Sequence, residues 1–416
     1  MFVLTAFKNT FLVLLLTFMA CGRFPEAESL SGLQPTDAPQ EGVIVAANRT
    51  EAYFNLLRDK DFALVANQTS VIFNGFEKPG SGKLPWVHLA DSLLGAGLGL
   101  KKVFAPEHGF RGLVDAGEKV PDGRDAQTGL PVLSLHGSHR KPTPEQLKGL
   151  DLVLFDIQDV GVRFYTYIAT LQLVMEACAE AGIPMVVLDR PNPNIHFVDG
   201  PVMEKEHRGF LGKTEIPLVY GMTMGEYAQM INEEGWLQDG VKADLTVIPL
   251  ARYTRNTPYV LPIPPSPNLP NQQAVRLYPS LGLFEGTHVN AGRGTSLQFQ
   301  SFGAPFLSES HFQYTYTPES RPGAGNPKHL GALCRGRDLS SAVPPDAVDL
   351  KWLVEAYTYR DTNTDFFKTG GFTKHAGTTL LQKQIEEGMT AAQIRETWQG
   401  ALEEFKKTRS KYLIYD

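Results

Sequence analysis

Short apolar stretches of strand length alternate along the first part of the chain with segments whose apolar residues fall at helical spacing. Phe62–Ala66, Lys102–Ala105, Leu130–Leu135, Asp151–Ile157 (DLVLFDI), Pro184–Leu188 and Leu245–Leu250 read as strands, several of them apolar enough to be buried on both faces. Trp86–Leu98, Thr166–Ala181 and Gly225–Trp236 read as helices. In the second of these Ile168, Leu171, Met175 and Cys178 share a face, and Gly182 stands where a helix C-cap is expected. Thr143 opens a shorter helix, with Pro144 at its first position and Glu145 in its first turn. Strands alternating with helices imply right-handed crossovers and a mainly parallel sheet covered on both faces. The expected fold is therefore α/β, with a Rossmann-like domain over residues 41–255.

After that boundary the pattern changes. Pro258–Pro279 is proline-rich, and Leu281–Thr295 mixes apolar residues with glycine and polar groups. The last periodic segment runs from Thr390 to about Tyr412, with Ile394, Trp398, Leu402 and Phe405 as its stripe and Thr390 and Gln393 as a capping box. Residues 256–416 are expected to form a smaller C-terminal α+β lobe that closes a cleft.

The N-terminus carries an address. Residues 11–20 (FLVLLLTFMA) follow Lys8, are too short to span a bilayer, and have the length of a signal-peptide core. Cys21 comes straight after them, behind Ala20, as in a bacterial lipoprotein box. The expectation is a signal peptide over 1–20, lipidation of Cys21, and a flexible tether through residue 40. That places the protein in the cell envelope, as a periplasm-facing or outer-membrane lipoprotein held to the membrane only through Cys21.

Composition narrows the function. A hydrophobic share of 42% excludes a largely disordered chain, and a net charge of -6 without a long basic run disfavours nucleic acid as a partner. Cys178 and Cys334 sit in no CxxC pair, so a cysteine zinc site is not expected. Gly95-Ala96-Gly97-Leu98-Gly99 follows a helix and precedes a strand, the reverse of a dinucleotide fingerprint, and no cofactor is expected. His108, His136 and His139 lie in loops that fix no shared face, and no metal is expected either.

Polar residues concentrate just past the strands, where open α/β sheets place their ligands. Ala105-Pro106-Glu107-His108-Gly109-Phe110-Arg111-Gly112 offers an acid near an aromatic ring, an environment that raises a carboxyl pKa toward general-acid work. Phe155-Asp156-Ile157-Gln158-Asp159-Val160-Gly161-Val162-Arg163-Phe164-Tyr165 adds two carboxylates and an arginine suited to a bidentate carboxylate contact. Asp189-Arg190-Pro191-Asn192 follows the next strand, and Glu285 through Arg293 supplies a glycine-spaced Glu and Arg from the second lobe. Candidate catalytic residues are Glu107, Asp156, Asp159 and Glu285. Candidate substrate contacts are His108, Arg111, Arg163, Tyr165, Asp189, Asn192, Asn290 and Arg293.

APEHGFRG, FDIQDVGVRFYTY, LDRPNP and FEGTHVNAGRGT, in this order, resemble the exo-β-N-acetylmuramidase (NamZ-like) family over about residues 41–416. The resemblance implies a hydrolase that removes N-acetylmuramic acid from the non-reducing ends of peptidoglycan fragments, with MurNAc–GlcNAc saccharides as its partners. It also implies that Glu107 is the catalytic carboxyl. Glycoside hydrolysis ordinarily needs two carboxyl groups, and Asp156, Asp159, Asp189 and Glu285 all remain open as the second; the substrate's acetamido group is a further nucleophile. The competing readings are a metal-dependent envelope hydrolase and a non-catalytic muropeptide-binding lipoprotein.

Overall fold

The structure, a computed structural model, describes residues 42–74, 85–112 and 122–416. The expected signal peptide, Cys21 and tether lie outside the described residues.

The centre of the fold is a seven-stranded sheet in the order Leu245–Ile248, Met185–Leu188, Leu152–Asp156, Phe62–Ala66, Leu100–Ala105, Pro131–Ser134, Gly123–Arg124. All neighbours pair in parallel except the Gly123–Arg124 edge. The central strands Phe62–Ala66, Leu152–Asp156 and Met185–Leu188 are buried along their whole length, as a parallel sheet with helices on both faces requires. Residues 256–416 contribute helices and a three-stranded antiparallel sheet in the order Ser301–Ala304, Cys334–Asp338, Tyr314–Tyr316. The α/β architecture and the smaller C-terminal α+β region are thus as the sequence pattern implies. Among the described residues no helix is long and apolar enough to cross a membrane.

Two expected helices break up. Trp86–His88 is a strand, paired antiparallel with Val71–Phe73, and only Leu89–Gly95 is helical; the His88 ring caps it by accepting from Ala90 N at 3.2 Å. The C-terminal helix divides into Ala391–Glu396 and Gln399–Arg409, followed by a 3-10 turn over Ser410–Tyr412. Trp398 sits at the break because its indole Nε1 donates to the buried Asp199 carboxylate at 3.0 Å. Burying that ring re-aims the chain before the Leu402–Phe405 face packs.

The helix Tyr167–Ala181 carries the loop after the Leu152–Asp156 strand back over the sheet. Gly182, at φ 65°, ends it, its N–H meeting Ala179 O and the following Ile183 N–H meeting Cys178 O. Cys178 is a buried core thiol, pushed up to about 12 by burial.

Candidate active site

At the carboxyl edge of the sheet a cavity of about 160 Å³ opens between both parts of the chain. Its lining includes Glu107 and His108 after the Leu100–Ala105 strand, Phe164 to Tyr167 after the Leu152–Asp156 strand, and Leu211. The later half adds Ser266, Asn268, Tyr278, Glu285, Arg293, Phe299 and His375. Among the described residues, Glu107 and Glu285 are its carboxyl side chains.

Glu107 stands two residues past its strand in a tight turn closed by Gly109 N–H to Pro106 O at 3.0 Å. His108 occupies the turn position that calls for glycine, with φ at 70°. A left-handed side chain costs on the order of 1 kcal/mol or more. Holding it there places His108 Nε2 3.1 Å from Ser266 Oγ, a contact across to the proline-rich segment. The Glu107 carboxylate accepts from Thr166 Oγ1 at 2.9 Å, and its backbone carbonyl from Tyr167 OH at 3.3 Å. Thr166 is the N-cap residue of its helix and makes no side-chain cap bond; the hydroxyl is spent on Glu107 instead.

The same cavity is lined by Glu285, in an ion pair with Arg293 Nη1 at 3.1 Å. Arg293 is fixed further by Asn268 Oδ1 at 3.3 Å and Gly323 O at 3.0 Å. Lys328 threads its ammonium between the carbonyls of Phe284, Glu285 and Val289 at 2.8–3.2 Å. Burial pushes the Glu285 carboxyl up, but Lys328 and Arg293 hold it below its ordinary value. Glu285 is therefore an ionised carboxylate at neutral pH. Burial keeps the His375 ring neutral, and Nδ1 engages Gly371 O at 2.9 Å, so Nδ1 carries the proton and Nε2 is an acceptor. Phe164, Tyr165, Tyr278 and Phe299 form the apolar part of the wall through edge-on ring contacts.

Of the candidate residues the cavity unites Glu107, His108, Tyr165, Glu285 and Arg293. The others are held elsewhere, each for a visible reason. Asp156 forms a bidentate, buried pair with Arg190 at 2.5 and 2.8 Å. Asp159 takes Gly161 N–H at 2.6 Å and the Tyr220 hydroxyl; burial raises it to about 6 despite those bonds. Asp189, likewise raised to about 6 by burial, binds Tyr415 OH, Thr223 Oγ1 and Gly225 N. Asn192 donates to Met222 O and packs where Gly161 has no side chain; a Cβ there would lie 2.2 Å from its amide. Asn290 braces its own loop through Arg293 O and Lys328 O. Arg111 is clamped between Asp125 and Asp91, and it is the Arg111 and Thr128 bonds that hold Asp125 down at about 2 against burial.

Arg163 is the clearest correction. It is fully buried, and its guanidinium donates to Pro201 O and Ile216 O on one side and to His375 O and Ala376 O on the other, at 2.6–2.9 Å. It ties the last turn of the helix Thr369–Ala376 to the sheet domain, with its charge at the helix's negative end. Of the three loop histidines, His108 meets Ser266, while His139 shares a hydrogen bond with Ser138. A grouping of metal-ligand type does occur at Glu204, Glu206 and His207, away from the cavity lining.

Tyr278 and His375 carried no local signal in the sequence, each falling on a helix among ordinary neighbours. Ser266 and Asn268 were hidden in the proline-rich segment, where hydrogen-bonding side chains read as loop.

Two family profiles match in tandem: Exo-beta-N-acetylmuramidase NamZ, N-terminal, over residues 62–273, and the corresponding C-terminal profile over 276–415. The peptidoglycan beta-N-acetylmuramidase NamZ of Bacillus subtilis (strain 168) is 41% identical over 340 residues, covering 76% of this chain and 80% of that protein. A crystal structure of a DUF1343 family protein from Bacteroides fragilis NCTC 9343 superimposes with a TM-score of 0.80 at 42% identity, covering 90% of this chain and 99% of the other. A second DUF1343 protein of that organism gives a TM-score of 0.74 at 27% identity, covering 91% and 100%.

Proposed function

The chain belongs to the exo-β-N-acetylmuramidase NamZ family and is a glycoside hydrolase acting on peptidoglycan; on that premise we propose that it removes N-acetylmuramic acid from non-reducing ends, with Glu107 as proton donor. The observation that carries this reading is the pairing of two carboxyl groups, Glu107 and Glu285, in the lining of one small cavity. Its volume equals that of about five liquid waters, the scale of one terminal sugar ring rather than a threaded polymer.

In this reading Glu107 protonates the departing glycosidic oxygen. Thr166 Oγ1 fixes the carboxyl's rotamer, and the His108 turn fixes its backbone. Glu285, kept ionised by its cationic neighbours, stabilises the positive charge that develops at the anomeric carbon or orients the attacking group. Arg293 is the cation at hand for the lactyl carboxylate. His375 Nε2 accepts a hydrogen bond from a sugar hydroxyl or the acetamido N–H. The aromatic wall supports the ring face. An anchor at Cys21, an envelope address and a role in muropeptide recycling belong to the same proposal; Cys21→Ser should move the protein from the membrane to the soluble fraction.

The test compares leaving groups. Glu107→Gln should lower turnover of the disaccharide MurNAc–GlcNAc by about 10²–10⁴-fold. It should spare a chromogenic muramide whose acidic phenol leaves without a proton. Undiminished cleavage of the disaccharide would remove Glu107 from the role.

A further inference from the structure

A second concavity lies beside the first. It measures about 460 Å³, within the ordinary range of ligand sites, and is lined by Gln172, Arg208, Gly209, Lys213, Gly235, Trp236, Leu237, Gln238 and Asp239. One short hairpin walls both spaces. Gly209 and Gly212 exchange backbone hydrogen bonds at 3.0 and 3.1 Å. Leu211 at the hairpin tip lines the catalytic cavity, whereas Arg208, Gly209 and Lys213 line the neighbouring cleft.

The chemistry of the cleft is specific. Lys213 and Arg208 put two cations on one wall, against the single carboxylate of Asp239 on the other. Arg208 is paired with Glu215, and Asp239 receives Gln238 Nε2 at 2.8 Å. The indole of Trp236 is half-buried. Gln172 is 3% exposed, and its amide orientation is fixed because Nε2 donates to Glu176 Oε1 and to Trp236 O. Its Oε1 is buried without a partner among the described residues. An orphaned buried acceptor costs about 1–3 kcal/mol unless a donor reaches it. An aromatic face, the orphaned Gln172 oxygen and the Lys213 ammonium, the cation left once Glu215 pairs with Arg208, together match a carboxylate-bearing amino sugar.

Resting on the muramidase reading above, we propose that this cleft binds the next N-acetylmuramic acid unit of the same glycan, two sugars toward the reducing end from the residue being removed. Peptidoglycan alternates two amino sugars, so its carboxylates recur at every second ring. A glycan leaving the catalytic cavity past Leu211 brings its next lactyl carboxylate to the Lys213 side of the hairpin. The enzyme then favours chains of three sugars or more over the disaccharide, which is too short to reach the cleft.

The experiment measures kcat/KM for the disaccharide MurNAc–GlcNAc and for the tetrasaccharide that repeats it, on the wild type, Lys213→Glu and the Arg208→Ala/Lys213→Ala double variant. The expected result is a wild-type preference for the tetrasaccharide that falls about fivefold in each variant, the weight of a part-exposed charge contact, with disaccharide kinetics unchanged. An unaltered preference, or an equal loss on both substrates, overturns the proposal while leaving the muramidase reading intact. Should no preparation cleave either saccharide, the muramidase reading fails instead. Titrating the tetrasaccharide into wild type and Lys213→Glu then decides the cleft: weaker binding to the variant supports it, and equal affinity overturns it.

Discussion

Arg163 makes a sharp test of how the second part of the chain is held in place. Its guanidinium spans four backbone carbonyls, two from the sheet domain and two from the last turn of the helix that carries His375. Replacing it with Met preserves the apolar stem and removes every donor. Each charge-assisted bond contributes about 1.5–3 kcal/mol, and the sum is offset by the several kcal/mol that burying an unpaired cation costs, leaving about 3–5 kcal/mol of lost stability. Unfolding entropy on a chain of this length is about 0.8–0.9 kcal/mol per kelvin, so the melting temperature should fall by about 4–6 °C. Turnover should fall as well, because the freed helix end carries His375 at the cavity wall. Arg163→Lys should recover only part of either quantity, since one ammonium cannot fork between two pairs of carbonyls. Calorimetry and disaccharide kinetics read the two effects. A melting temperature within about 1 °C of wild type would refute the idea that this cation joins the two halves. So would a large loss of affinity for substrate with no change in stability, which would return Arg163 to a ligand-binding role.

Three further outcomes follow from neighbouring groups. Gly377→Ala should destabilise by about 1–3 kcal/mol in urea titration, because φ is 83° and the new Cβ would lie 2.6 Å from Arg163 Nη2. Asp159→Asn should flatten the pH dependence of stability: the buried carboxyl is raised from 3.8 to about 6, so the native state holds its proton longer than the unfolded chain does, and wild type loses about 2–3 kcal/mol as pH rises through that window. Urea midpoints at pH 4 and pH 7 check this as a difference between wild type and variant. Lys328→Met removes the strongest influence holding Glu285 below its ordinary value, so the acid limb of the kcat/KM–pH profile should move to higher pH, with the alkaline limb unmoved.

The strands were legible because burial on both faces writes itself as unbroken apolar runs, and Phe62–Ala66 lies where its pattern puts it. Trp86–His88 was misread because an apolar stretch that runs from a strand directly into a helix shows no break in composition; only the alternation of half-buried and exposed positions marks the strand. The site was legible as an edge but not as a membership. Asp156, Asp159, Asp189 and Glu107 all lie at or just past strand ends on the same side, and strand ends alone do not say which carboxylate turns inward. The deciding partners are far away in sequence: Arg190 for Asp156, Tyr220 for Asp159, Tyr415 for Asp189. Long-range pairing of this kind leaves no local trace in one sequence.

Those buried carboxylates do a different task from the one their position implied, and the task bears on the cavity. Asp189 receives the hydroxyl of Tyr415, next to the chain's end. Asp199 receives Trp398 Nε1, Arg395 Nη2 at 2.8 Å and Val348 N at 2.8 Å. Glu226 closes its own helix's capping box while binding Arg255 and the backbone N–H of Ile414. Each thus lies on the sheet domain and takes donors from the C-terminal part of the chain. Removing one partner from such a buried set costs about 3–5 kcal/mol, so these contacts hold residues 348–415 against the sheet domain. The local rules are broken next to the cavity instead: His108 in a left-handed conformation, Thr166 withholding its cap, Arg163 without a counter-ion among the described residues. Strain of this kind persists only where surrounding structure over-determines it. At Glu107 that determination comes from Thr166 Oγ1 and Tyr167 OH, while the carboxylate staples join the two parts of the chain whose side chains line its cavity.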